Sequence, residues 1–140
     1  MCSRTTQLVI SAILLLAGGY IYVAFRTEKL AMFNWFSFLH LDCIVNRIRE
    51  VSSNINLPNF IKFCLPNGLW ISSYILATDA LVEKNRLFWV LCLPVIAILF
   101  EFLQIIHIIP GTFDMGDLIC LLIPVLLYLL NHFTHNEKSF

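Results

Sequence analysis

The first pattern along the chain is an uncharged run of 18 residues, 8–25 (LVISAILLLAGGYIYVAF), held between Arg4 and Arg26. About 20 apolar residues cover the hydrocarbon of a bilayer as a helix, so a first membrane span is predicted over 7–25. A secretory signal has a shorter apolar region that ends at a small-residue cleavage site. Here Ala17-Gly18-Gly19 is followed by six more apolar or aromatic residues, which predicts a first helix that stays uncleaved. Residues 31–50 mix Trp35 and several phenylalanines with Asn34, His40, Asp42, Arg47 and Arg49. Large rings beside polar groups favour the headgroup level, and an interfacial or re-entrant helix is the expectation.

Residues 51–59 (VSSNINLPN) have a loop composition that should end that helix. The next apolar run spans about 64–82 and is interrupted by Leu65-Pro66-Asn67-Gly68. Proline suits a first helical turn, so the second span should begin near Pro66. A charged turn, Glu83-Lys84-Asn85-Arg86, leads to a third span over 87–109, with Pro94 inside it. After Pro110-Gly111-Thr112-Phe113-Asp114 a fourth span is expected over 115–133, with Pro124 inside it, and the polar THNEKSF follows. The predicted fold is all-α: one membrane domain over 1–140, an integral four-helix bundle with the interfacial or re-entrant helix between spans one and two.

Composition supports the membrane reading. Of 140 residues 59% are apolar and 13% charged, against about half and about a quarter in ordinary soluble domains. Four spans of about 20 residues leave no room for a separate catalytic domain outside the lipid. Nine basic and nine acidic side chains cancel, which removes the long-range field that recruits nucleic acid, so no DNA or RNA partner is expected. Five cysteines at 2, 43, 64, 92 and 120 form no CxxC pair. Scattered in apolar sequence, they read as small packing residues and not as a disulfide frame or a zinc site. No metal and no cofactor is expected.

Orientation follows from the loops. Basic residues divide four (Arg4, Lys84, Arg86, Lys138) against five (Arg26, Lys29, Arg47, Arg49, Lys62) between the two sides, so their number does not decide it. The turn after span two is basic and the loop after span three is acidic, which places both termini in the cytoplasm.

The candidate chemistry sits at the end of span three and the start of span four. Glu101 and Gln104 are three residues apart and share a helical face, and Asp114 and Asp117 have the same spacing. A short connection makes the two helices antiparallel neighbours and brings all four groups to one membrane side. An acidic pocket near that interface is the expectation. Fourteen Leu, Ile, Val or Phe residues between Leu87 and Ile106 offset the insertion cost of one carboxylate, about 2.5 to 3.5 kcal/mol at the bilayer centre.

Competing readings exist for each residue. Asp114 suits an N-cap, with Asp117 in the first turn of its helix. Glu101 and Gln104 suit an interhelical hydrogen bond as well as ligand, proton or cation handling. Asp79 is expected to reach water, His107 to lie at the interface, Asn67 to cap the second span and Trp70 to anchor it at the headgroups. The chain has no G-x-S-x-G, H-E-x-x-H, P-loop or Rossmann glycine pattern. Paired carboxylates suit acid and base roles, but nothing supplies a nucleophile, so the residues leave enzymatic activity open.

Glu101-x-x-Gln104 followed by Asp114-x-x-Asp117, together with Leu65-Pro66-Asn67-Gly68-Leu69-Trp70, resembles the pattern of the VanZ-like family of small bacterial multi-pass membrane proteins. The resemblance covers roughly residues 57–130. The chain departs from it at Asn67, where relatives carry Asp, at Thr112, where many carry Arg in the connecting loop, and at Leu121 and Pro124, where many carry Asn and Gly. The resemblance implies a protein of the bacterial inner membrane linked, through the founding member, to resistance against the glycopeptide teicoplanin. It implies no reaction. The resulting expectation is binding of an envelope component, a lipid-linked headgroup or lipophilic glycopeptide, by Glu101, Gln104, Asp114, Asp117 and Asn67. Two alternatives are an accessory subunit of a larger membrane complex and a lipid-modifying enzyme using the carboxylates as acid and base.

Overall fold

A computed structural model describes residues 3–27, 31–109 and 113–137, and every regular element among them is a helix. In chain order these are α1 (Arg4–Phe25), α2 (Ala31–Phe38), α3 (Asp42–Ser52), α4 (Asn59–Phe63), α5 (Leu65–Leu81), α6 (Arg86–Ile105) and α7 (Met115–Glu137). The Pro110-Gly111-Thr112 connection lies outside the described residues, as do Cys2, Lys29 and Lys138.

Three helices, α1, α6 and α7, are long and apolar enough to cross a membrane. Their apolar side chains face outward: Leu16, Phe88 and Leu127 are each more than half exposed. That is the distribution expected where lipid replaces water around the bundle. The predicted second span is shorter, with α5 holding 17 residues, and Pro66 stands in its first turn as its fixed φ favours.

α5 is the centre of the packing, lying against α1 on one flank and against α6 and α7 on the other. Lipid gives no hydrophobic reward for helix association, so close approach depends on small residues and polar pairs. α1 and α5 have both. Ser11 Oγ donates to the Ser73 carbonyl oxygen at 2.9 Å, and Ser73 Oγ donates to that of Ser11 at 2.8 Å. Farther along α1, a Cβ on Gly18 would stand 2.7 Å from Trp70 Nε1. On the other flank, a Cβ on Gly68 would come within 2.9 Å of the Cys120 carbonyl oxygen, so α5 and α7 meet backbone to backbone. Ile71, Ile75, Val90, Leu121 and Val125 from α5, α6 and α7 form the buried layer at mid-bundle.

The predicted single helix over 31–50 is two helices. His40 adopts φ 55°, the left-handed conformation, and the chain closes α2 with Leu41 N–H to Phe36 O and His40 N–H to Ser37 O. This Schellman pairing satisfies the last carbonyls of a helix and ends it. Ser37 Oγ then donates to Asp42 Oδ1 at 2.6 Å, and α3 starts there and continues to Ser52, two residues beyond the predicted end. Val23, Phe33 and Val45 pack this pair of helices on the end of α1.

The third predicted span also stops early, at Ile105 in place of residue 109. His107 has φ 57°, with Ile108 N–H on Leu103 O and His107 N–H on Gln104 O, the same device. His107 is therefore a helix stop by its backbone as well as an exposed side chain.

Candidate functional site

The chain runs up α1, down α5, up α6 and down α7, so the ends of α1 and α6 and the starts of α5 and α7 share one end of the bundle. The expected antiparallel packing of α6 on α7 is present. Asp114 precedes α7, where its Oδ1 accepts from the Gly116 N–H at 2.7 Å and its carbonyl from the Leu118 N–H at 3.2 Å. The capping role open to Asp114 is thus realised. Glu101, on the last turns of α6, feels the charges of Asp117 and Asp114 and the backbone N–H of Asp114.

Gly116 sets the position of this start. A Cβ there would stand 2.6 Å from Cys64 Sγ, so only glycine lets α7 approach the junction of α4 and α5 this closely. Asp117 follows, with the Cys64 thiol and the Asn67 amide facing its carboxylate. Asn67 is not the cap of α5: it lies inside the first turn, because the helix already begins at Leu65.

Two carboxylate oxygens here, Glu101 Oε2 and Asp117 Oδ1, are closed off from the surface and have no hydrogen-bond partner. Buried acceptors are almost always paired, and one left unpaired costs about 1 to 3 kcal/mol. Gln104 is not drawn into the cluster by any hydrogen bond among the described residues; its carbonyl instead closes the end of α6.

Arg26, the charge that ends the first apolar run, also belongs to this end. Its guanidinium carbon lies 5.5 Å from the Tyr22 ring centroid and 5.4 Å from that of Phe63, and Nη2 donates to the Phe63 carbonyl at 3.2 Å. Phe63 adjoins Cys64, and the charge of Arg26 reaches Asp117. Arg49 Nη2 donates to the Arg26 carbonyl, and its guanidinium sits 4.8 Å above the Phe33 ring. Trp70 is half-buried, with its ring 5.1 Å from that of Tyr22, so it packs α5 on α1 at this end.

The opposite end holds a second polar centre. Asp79, expected to reach water, keeps 20% of its side chain exposed and also accepts from Gln7 Nε2 at 3.1 Å and from the Tyr128 hydroxyl at 3.0 Å, with Arg86 Nη1 at 3.7 Å. One carboxylate thus ties α1, α5, α6 and α7 together. A separate cavity of about 160 Å³ opens between α2 and α3, lined by Asn34, Ser37, Asp42 and Asn46, and none of the predicted site residues borders it. Among the described residues no group of three or more His, Cys, Asp or Glu side chains is arranged to hold a metal ion.

No family model matches the chain, and searches of curated proteins and of solved structures return no match.

Proposed function

We propose that the chain is a bacterial inner-membrane protein of the VanZ-like kind, crossing the bilayer four times with both termini in the cytoplasm. In this reading α5 makes the fourth crossing and α2 and α3 lie at the outer interface. The cluster of Glu101, Asp114, Asp117 and Asn67 then holds an envelope component, a lipid-linked headgroup or a lipophilic glycopeptide such as teicoplanin. The observation that carries this is the pair of enclosed, unpartnered oxygens on Glu101 and Asp117. Acceptors held without donors are matched by a ligand that brings ammonium or hydroxyl hydrogens. A bundle without such a ligand gains nothing from them.

The test is binding to the purified protein in nanodiscs. Glu101→Gln and Asp117→Asn are expected to weaken ligand binding at least tenfold while membrane levels stay normal. Wild-type affinity and phenotype in both variants would defeat the proposal.

A second reading, an accessory subunit, draws on α2, where Trp35 and Phe38 are 69% and 83% exposed. Extraction in mild detergent separates the two, because a lone protomer that keeps its phenotype has no obligate partner.

A further inference from the structure

Glu101, Asp114 and Asp117 do not stand alone at their end of the bundle. Arg26 reaches the same neighbourhood from α1, pinned between Tyr22 and Phe63 and bonded to the Phe63 carbonyl. Phe63 leads directly into Cys64, whose sulfur abuts Gly116 between the two aspartates. If Arg26 were there to neutralise Asp117, an ion pair would be expected. Among the described residues none joins Arg26 to a carboxylate, although Asp117 feels its charge. Its Nε is enclosed and unpartnered, like Asp117 Oδ1 and Glu101 Oε2. The cluster therefore brings orphaned acceptors and an orphaned donor to one end of the bundle.

We propose that this end of the bundle binds a zwitterionic headgroup carrying a primary ammonium and a phosphate, with the ammonium on Glu101 and Asp117 and the phosphate on Arg26. This rests on the binding role proposed above and names the ligand's chemistry. A primary ammonium brings three N–H donors, enough for both carboxylate oxygens. A quaternary ammonium brings none. The guanidinium fork fits phosphate oxygens and is held in place by the two rings. A zwitterion matches a site that holds both signs of charge, carboxylates on α6 and α7 and the guanidinium at the end of α1. The position at the end of α1, where the apolar run gives way to Arg26, matches headgroup depth and favours a lipid as the source.

The test uses the full chain in nanodiscs of phosphatidylcholine doped with phosphatidylethanolamine or phosphatidylglycerol, with retained lipid read by native mass spectrometry. The wild type is expected to enrich phosphatidylethanolamine at least tenfold over both other lipids. Arg26→Gln and Glu101→Gln should each abolish the enrichment, and Arg26→Lys should keep part of it. Equal retention of the three lipids by the wild type overturns the proposal whether or not any variant folds. Enrichment unchanged in Arg26→Gln but lost in Glu101→Gln also overturns it, while leaving the acidic binding role intact. Free phosphoethanolamine competing as well as the lipid moves the source to a soluble ligand and keeps the chemistry. Ethylamine competing equally well removes the phosphate half and overturns the proposal.

Discussion

The two polar ends of the bundle use the same residue types in opposite ways. At one end Asp79 spends its carboxylate on Gln7, Tyr128 and Arg86, one group from each neighbouring helix or its first turn. At the other, Glu101 and Asp117 each keep an enclosed oxygen without a donor. A buried polar group that is fully paired contributes to holding the fold, whereas an unpaired one is a cost that the fold carries. The Asp79 end is therefore the clasp of the structure and the Glu101 end is where interaction capacity is left over.

Substitutions that trade these roles are the direct way to break the comparison. Asp79→Leu strands three partners and is expected to destabilise most, by about 3 kcal/mol, read as a lower midpoint in detergent unfolding. A midpoint equal to the wild type would mean that the clasp contributes nothing. Gly68→Ala drives a methyl against the Cys120 carbonyl and should cost about 2 kcal/mol, because backbone cannot step aside as a side chain can. Ser73→Ala removes one of the paired serine bonds between α1 and α5. Its expected cost is about 0.6 kcal/mol, the average for such interhelical bonds in membranes, and a loss above about 2 kcal/mol would show that the serines do more than pair.

Glu101→Leu sharpens the contrast through its sign. It removes an unpaired acceptor, so stability should stay within about 0.5 kcal/mol of wild type or rise, while ligand binding disappears. A large loss of stability would place Glu101 with Asp79 among the structural groups. The smallest effect is expected for Arg4→Ala. Its 2.7 Å contact with Glu83 lies in the open, with both side chains about two-thirds exposed, and such pairs contribute roughly 0 to 1 kcal/mol.

The same contrast explains what could be read from the sequence. Long apolar runs announce α1, α6 and α7, and a proline in a first turn announces the start of α5, because these signals are local. The proximity of Glu101 to Asp114 also follows locally, from the short connection between α6 and α7. The hydrogen bonds of Asp79 give no sequence signal, because its partners Gln7 and Tyr128 lie 72 and 49 residues away and no spacing rule links them. Arg26 and Cys64 reach the acidic end only through the packing of α1 and α7 on α5. The stops at His40 and His107 are silent in the sequence for another reason: glycine or asparagine usually takes the left-handed position, so a histidine there gives no warning.

One consequence of the mid-bundle layer remains. Val90 is wholly enclosed, and Ile71, Ile75, Leu121 and Val125 close around it with no polar atom in their side chains. That layer stands between the Asp79 end and the Glu101 end, so the two polar centres are insulated from each other by side chains that can neither donate nor accept a proton.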